Sequence, residues 1–299
     1  MQIAVASGKG GTGKTTVAVA LALVAPGQVQ LLDCDVEEPN AGIFLFKTQN
    51  GAQTQTSEEE ITIPIPVVDE EKCTGCGSCK TACKFNAIIL LKKQVMIFPD
   101  LCHSCGACVM ACPENALSEL PQPIGQVRES VNGALRFIQG ELKIGFAMSP
   151  PLIRAVKNRA KTEMGTAKPT LPETLTLIDC PPGTSCPMVT SVRGSDFVVL
   201  VTEPTPFGLH DLKLAVATIR KMELSFGVVV NRSDVGDNRV TDWCGKEGIS
   251  VLASIPDDRK VAVAYSNGGN LLSAGEKYRV LMEKLYEDIH SRVRDGKKS

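Results

Sequence analysis

Neither charge sign dominates this chain, in which 32 Lys and Arg stand against 33 Asp and Glu. That balance leaves no broad basic face to attract nucleic acid and no acidic tail to suggest disorder, so nucleic-acid binding is not expected. No apolar run approaches the ~20 residues needed to cross a bilayer. A cleavable leader is not expected either, since Met1 runs directly into a strand pattern and a glycine-rich loop. A cytoplasmic protein is predicted, with membrane attachment a poor second.

What is present suffices for one large core. The 299 residues are 43% hydrophobic, enough for an α/β domain that also carries a small extra module. Short apolar or β-branched runs at residues 2–6, 29–32, 142–147, 175–178, 197–201, 227–230 and 251–255 alternate with helical stretches. The alternation predicts a mainly parallel sheet with helices on both faces. The segment 47–60, rich in Gln, Thr, Ser and Glu, reads as a linker into an insertion. Domain bounds are therefore expected at 1–60 and 121–299 for the main domain and 61–120 for the inserted one.

Gly8-Lys9-Gly10-Gly11-Thr12-Gly13-Lys14-Thr15-Thr16 contains the G-x-x-x-x-G-K-[ST] pattern between a strand and a helix. Glycines let backbone N–H groups curl around phosphate oxygens, Lys14 reaches the terminal phosphates, and the Thr15 hydroxyl can ligate Mg²⁺. The strand at 29–32 delivers Asp33 and Asp35 to its C-terminal end, where ligands gather in open α/β sheets.

Eight of the twelve cysteines fall within residues 73–112, a density that points to metal ligation rather than disulfides. Cys73, Cys76, Cys79 and Cys83 follow C-x₂-C-x₂-C-x₃-C, and Cys102, Cys105, Cys108 and Cys112 repeat it before Pro113. This is the spacing of a two-cluster [4Fe-4S] protein in which each fourth cysteine serves the other cluster. One set is then Cys73, Cys76, Cys79 and Cys112, and the other is Cys102, Cys105, Cys108 and Cys83. Zinc is the competing reading of a four-cysteine site, but zinc pairs usually separate two C-x₂-C units by a long spacer. The repeat also predicts two pseudo-symmetric half-modules. Of the remaining cysteines, Cys34, Cys180 and Cys244 sit in apolar segments and read as core thiols.

The lysine at position 9 extends the pattern, and here the sequence resembles the deviant Walker A family of MinD, ParA, Mrp-type scaffold ATPases and the nitrogenase iron protein. The resemblance implies that Lys9 crosses a homodimer interface to the partner's nucleotide, although a solvated loop lysine would look the same. Residues 33–40 resemble the family's switch I, with Asp35 orienting water or supporting Mg²⁺. Residues 177–183 resemble its Walker B and switch II, with Asp179 holding Mg²⁺. Asn231, Pro256 and Asp257 match its base-side positions. Cys186, just past switch II, corresponds to a possible dimer-bridging ligand, yet residues 146–153 lack the second cysteine that such bridging requires. Residues 61–120 resemble bacterial two-cluster ferredoxins.

The resemblance implies an ATP/ADP- and Mg²⁺-dependent ATPase coupling nucleotide state to electron transfer through two [4Fe-4S] clusters, with an unidentified redox or apo-iron-sulfur protein as partner. The alternatives are an iron-sulfur scaffold or carrier of the Mrp type and a redox-sensing positioning ATPase. The apolar stripe Tyr278, Leu281, Met282, Leu285, Ile289 and Val293 predicts a last helix docked on the sheet.

Overall fold

The computed structural model describes residues 1–46, 54–161 and 174–296. Its centre is the run β1 (Gln2–Ala6), α1 (Lys14–Val24), β2 (Val29–Asp33) and α2 (Ala41–Phe46). A polar strand β3 (Thr54–Val68) leads to the cysteine-rich module: α3 (Ser78–Ala82), β4 (Ile88–Leu91), β5 (Gln94–Ile97) and α4 (Ala107–Met110). The chain returns along β6 (Leu117–Asn132) and β7 (Leu135–Leu142) into α5 (Pro150–Arg159). The second half alternates as β8 (Leu175–Asp179), α6 (Cys186–Val192), β9 (Phe197–Thr202), α7 (Pro206–Lys221), β10 (Phe226–Asn231), α8 (Arg239–Lys246) and β11 (Val251–Ile255). Helices α9 (Arg259–Ser266) and α10 (Glu276–Gly296) complete it.

The main sheet has nine strands in the order β11-β10-β9-β1-β8-β2-β7-β6-β3. Pairings from β11 to β7 are parallel, while β6 runs antiparallel to both β7 and β3. Period-two alternation sends Ala4, Ala6, Ile178, Val198 and Leu200 to a core under α5, α6, α7 and α8. Ile3, Val5, Leu177, Val199 and Val201 face a second core under α1 and α10. Helices thus cover both faces, as the alternating pattern predicts. Tyr278, Met282, Leu285, Ile289 and Val293 of α10 are buried in that second core, so the apolar stripe is spent on the sheet. Among the described residues no helix is long and apolar enough to cross a membrane.

Two expectations need correction. Residues 54–60 of the expected linker are the start of β3, and 47–53 lie outside the described residues. An edge strand tolerates polar side chains because one ladder faces solvent, and Glu58 pairs with Arg128 of β6 at 3.7 Å. The strand expected at 142–147 instead ends at Leu142 and begins at Leu135. Its charges conceal it: Arg136 and Glu141 reach Glu129 and Arg128 across the antiparallel pair.

The bounds expected at residues 60 and 121 fall inside β3 and β6, which run unbroken from sheet to module. β7 stops opposite Gly125, so residues 117–123 pair with β3 alone. Pro64, Pro66, Pro121 and Pro123 lie in this two-stranded arm, where a missing N–H costs no bond on the free side. At its sheet end buried Glu129 accepts from Arg136 Nε at 2.9 Å and Arg159 Nε at 2.7 Å, tying β6, β7 and α5 together.

Burial alone would raise the Glu129 pKa, but the two guanidiniums outweigh it and the net shift is downward. The stability this contributes is present above the ordinary glutamate range and is lost as pH falls through the lowered value. Glu129→Gln, which leaves two arginines facing a neutral partner, is expected to cost about 3 kcal/mol. Urea denaturation at pH 7 checks this, and the loss should shrink at acid pH.

Candidate functional site

Residues 7–13 turn from the end of β1 into α1. Gly13 sits at φ 93°, and a Cβ there would strike the Asn231 amide; any other residue is strained at that φ and must displace the Asn231 side chain. The Asn231 Nδ2 donates to the Thr12 carbonyl at 2.9 Å, and its Oδ1 accepts from the Arg232 N–H at 3.0 Å. The expected base-side asparagine is therefore also a strut beneath the loop. Ser7 Oγ donates to the Lys9 carbonyl at 2.6 Å, closing the loop's first turn. Gly183, seen in the switch II match, donates its N–H to the Ser7 carbonyl at 3.0 Å. Loop and switch segment are thus directly bonded.

Parallel register brings the acids together. Asp33 ends β2 opposite Asp179 at the end of β8, and Cys34 N–H donates to the Asp179 carbonyl at 2.9 Å. Both aspartates are fully buried, and Lys14 beside them is nearly so. Asp33 is satisfied by the N–H groups of Ala41 at 3.0 Å and Asp35 at 3.2 Å, although burial and the nearby Asp179 hold its pKa well above the usual range. Neither carboxylate oxygen of Asp179 has a hydrogen-bond partner. Burial pushes its pKa to about 7, against the pull of the Thr15 hydroxyl, short of hydrogen-bond geometry, and of Lys14. Asp35 is raised to about 6 by burial and by Glu38 and Glu37, with Lys14 opposing. An unpartnered buried carboxylate beside a phosphate loop, with Thr15 close by, fits a bound divalent cation. The Thr12 hydroxyl is likewise buried without a partner.

Lys9 pairs with Glu203 at 3.4 Å, and Glu203 also takes Arg232 at 3.2 Å. Asp257, beside Pro256, receives Arg232 at 3.6 Å, and its N–H donates to Asp234 at 2.6 Å. Sequence reasoning missed Glu203 and Arg232. A buried acid ending a parallel strand was the available signal for Glu203.

The eight clustered cysteines form two groups. Cys73, Cys76, Cys79 and Cys112 line one small cavity. Cys83, Cys102, Cys105 and Cys108 line another. Each fourth cysteine faces the other run's cavity. The two runs also share backbone conformation at a spacing of 29 residues, with left-handed turns at Gly75 and Ser104, Gly77 and Gly106, and Asn86 and Asn115. Strand pairing follows the same relation, Val68 opposite Leu117 and Ile88 opposite Ile97. Backbone N–H groups of Ser104 and Ala116 donate to Cys102 and Cys112 sulfurs at 3.4 and 3.3 Å. The buried Ser104 hydroxyl, on the second cavity's wall, has no partner. Among the described residues no group of three ligands converges tightly enough for a single metal ion; the thiols stand around voids instead. Cys34, Cys180 and Cys244 are buried, whereas Cys186 is exposed at the start of α6.

Residues 3–271 match the model of the CobQ/CobB/MinD/ParA nucleotide-binding domain. The chain belongs to that family. It is 31% identical over 294 residues to an uncharacterized protein of Methanocaldococcus jannaschii, covering 97% of this chain and 96% of the relative. An iron-sulfur cluster carrier protein of Pyrococcus horikoshii is 26% identical, covering 99% and 89%. Among solved structures, the septum site-determining protein MinD of Pyrococcus horikoshii complexed with Mg-ADP aligns with a TM-score of 0.54 at 19% identity, covering 96% and 95%. The Aquifex aeolicus MinC:MinD complex aligns at 0.52 and 16%, covering 97% and 96%. The fold is that of MinD and ParA.

An acid held above its ordinary pKa binds a proton in the fold that it has lost in the unfolded chain. Stability of the nucleotide-free family member should therefore fall as pH rises from 3.8 to about 7. Asp179→Asn is expected to flatten that slope and raise the melting temperature at pH 7.5, while removing stabilisation by Mg-ATP. Thermal melts across pH, with and without Mg-ATP, check both signs.

Proposed function

We propose that this chain is an ATPase in which nucleotide state governs electron transfer through two [4Fe-4S] clusters, held in a ferredoxin-like module at residues 61–120. The observation that carries the reading is the sorting of eight cysteines into two four-thiol cavities with exchanged fourth members. Cys73, Cys76, Cys79 and Cys112 would hold one cluster, and Cys102, Cys105, Cys108 and Cys83 the other. Bound there, the clusters would supply one-electron carriers. Thiols arranged around a void suit a cubane better than a zinc ion, which draws four sulfurs to about 2.3 Å from one point.

On the nucleotide side, the loop N–H groups of Gly8, Gly10, Gly11, Thr12 and Gly13 cradle phosphates, and Lys14 neutralises their charge. Thr15 and Asp179 would hold Mg²⁺, which would supply charge neutralisation at the β- and γ-phosphates. Thr16 follows on the first turn of α1. Asp35, poised near neutrality, orients the attacking water and accepts its proton as the oxygen–γ-phosphorus bond forms and the bond from the γ-phosphorus to the bridging oxygen of the leaving ADP breaks. Lys9 is available to a second copy once Glu203 releases it, so the active form is a homodimer. Asn231, Pro256 and Asp257 flank the base.

Coupling between the halves has a physical route. Asp179 leads into α6; Lys157 of α5 donates to the Thr190, Ser191 and Arg193 carbonyls at α6's C-terminus, at 3.2, 2.6 and 2.7 Å. The α5 core residues Leu152 and Val156 pack in one cluster with Cys102, Ala87 and Ile65 of the module side. A shift of switch II on ATP binding is therefore felt at the second cavity.

The carrier function named for the Pyrococcus horikoshii relative is the second reading. It calls for labile clusters, whereas eight internal thiols favour retained ones. Anaerobic reconstitution should give about eight iron and eight sulfide per chain. Cys112→Ala should erase the electron paramagnetic resonance of the cluster of the first run and Cys83→Ala that of the second. Potentials should shift when Mg-ATP is added and stay put in Asp179→Asn. Identical potentials and transfer rates with and without nucleotide would reject coupling, and rapid transfer of iron to an apo-ferredoxin would favour the carrier.

A further inference from the structure

A groove with about 1340 Å³ of empty space runs between α5, α6 and the loop of the second cysteine run. Its walls carry Arg154, Lys157, Lys161 and Arg193 together with Cys186 and His103, and among the described residues no Asp or Glu lines it. None of the four cations makes an ion pair among the described residues. Like charges along one groove create a positive potential that attracts a complementary anionic surface.

His103 gives the groove its meaning. It also lines the cavity of Cys83, Cys102, Cys105 and Cys108, so one imidazole is the wall shared by the groove and that cavity. The ring stacks on Phe85 with centroids 3.7 Å apart and planes at 13°, which fixes it in the wall. The groove floor includes Met148 and Pro151, an apolar base beneath a basic rim, as protein interfaces are built.

Resting on the electron-transfer reading above, we propose that this groove docks the acidic face of a small one-electron carrier protein, which reduces the cluster held by Cys83, Cys102, Cys105 and Cys108 past His103. One electron leaves the reduced carrier and one enters that cluster, with no bond made or broken.

A protein face fits better than a small anion. The one part-buried cation, Lys157, spends all three ammonium protons on the Thr190, Ser191 and Arg193 carbonyls and has none left for a ligand. The other three are exposed, and Arg154 and Lys161 stand seven residues apart, about 10 Å along α5 and its final turn. Spaced, exposed cations meet spaced carboxylates, steer encounter and fix orientation.

Stopped-flow reduction of the reconstituted, nucleotide-loaded protein by a photoreduced acidic plant-type [2Fe-2S] ferredoxin tests this. Arg154→Glu/Arg193→Glu is expected to slow the second-order rate about tenfold or more at low salt and to flatten its salt dependence. The milder Arg154→Gln/Arg193→Gln should fall between. Arg279→Glu/Lys284→Glu on α10, across the sheet, should match the unaltered protein. Electrode titration, which needs no docking, should give the same potentials in all four. Equal ferredoxin rates in every variant would overturn the groove while leaving the clusters standing, as would no reduction of the unaltered protein by ferredoxin alongside a normal electrode titration. A flat electrode titration would instead remove the clusters and the proposal with them. Saturable pyrophosphate binding lost in Arg154→Glu/Arg193→Glu, with ferredoxin rates unmoved, would assign the groove to a small anion and overturn the docking proposal.

Discussion

The constraint on which this molecule turns is a carboxylate with nowhere to put its charge. Asp179 lies fully buried at the end of a central strand, opposite Asp33 and near Asp35, with no hydrogen-bond partner of its own. Lys14 offsets part of that charge, and a bound cation would offset the rest. A cation bound there would relieve that cost and so stabilise the fold around the segments that follow Asp179. Those segments are not free to move alone. Gly183 is bonded to the phosphate loop, and α6 is held at its far end by Lys157.

The cysteine module is tied into this arrangement by strands rather than by a flexible tether. β3 and β6 belong to the main sheet at one end and flank the cysteine runs at the other. A two-stranded arm transmits twist and displacement more faithfully than a linker of the same length would. The Glu129, Arg136 and Arg159 network sits where the arm leaves the sheet, and it joins arm and α5 into one body. The groove beside His103 lies on that same α5. Residues of α5, α6 and the cysteine module thus share one buried cluster.

Local patterns in the chain announce most of the chemistry. The phosphate loop must be contiguous because successive N–H groups wrap one phosphate, and the C-x₂-C-x₂-C-x₃-C runs must be contiguous because three thiols cap one small void. Continuous apolar runs disclose the central parallel strands because each is buried on both faces, and the i, i+4 stripe of α10 does so for the docked helix. β3 and β7 escaped this reading because their polar residues pair across an antiparallel edge, so that burial no longer marks the strand.

What only the tertiary structure decided is which distant residues share a space. Asn231 under the loop, Glu203 on Lys9, Asp33 beside Asp179 and the basic groove joining His103 to Cys186 are all products of strand order and helix packing. No periodicity encodes them, since each is a meeting of segments tens to hundreds of residues apart whose separation is set by the sheet. The sequence by itself determined the phosphate-loop pattern and the two cysteine runs, because each is a local motif; the fold determined which of these segments meet, because contact depends on strand order and helix packing.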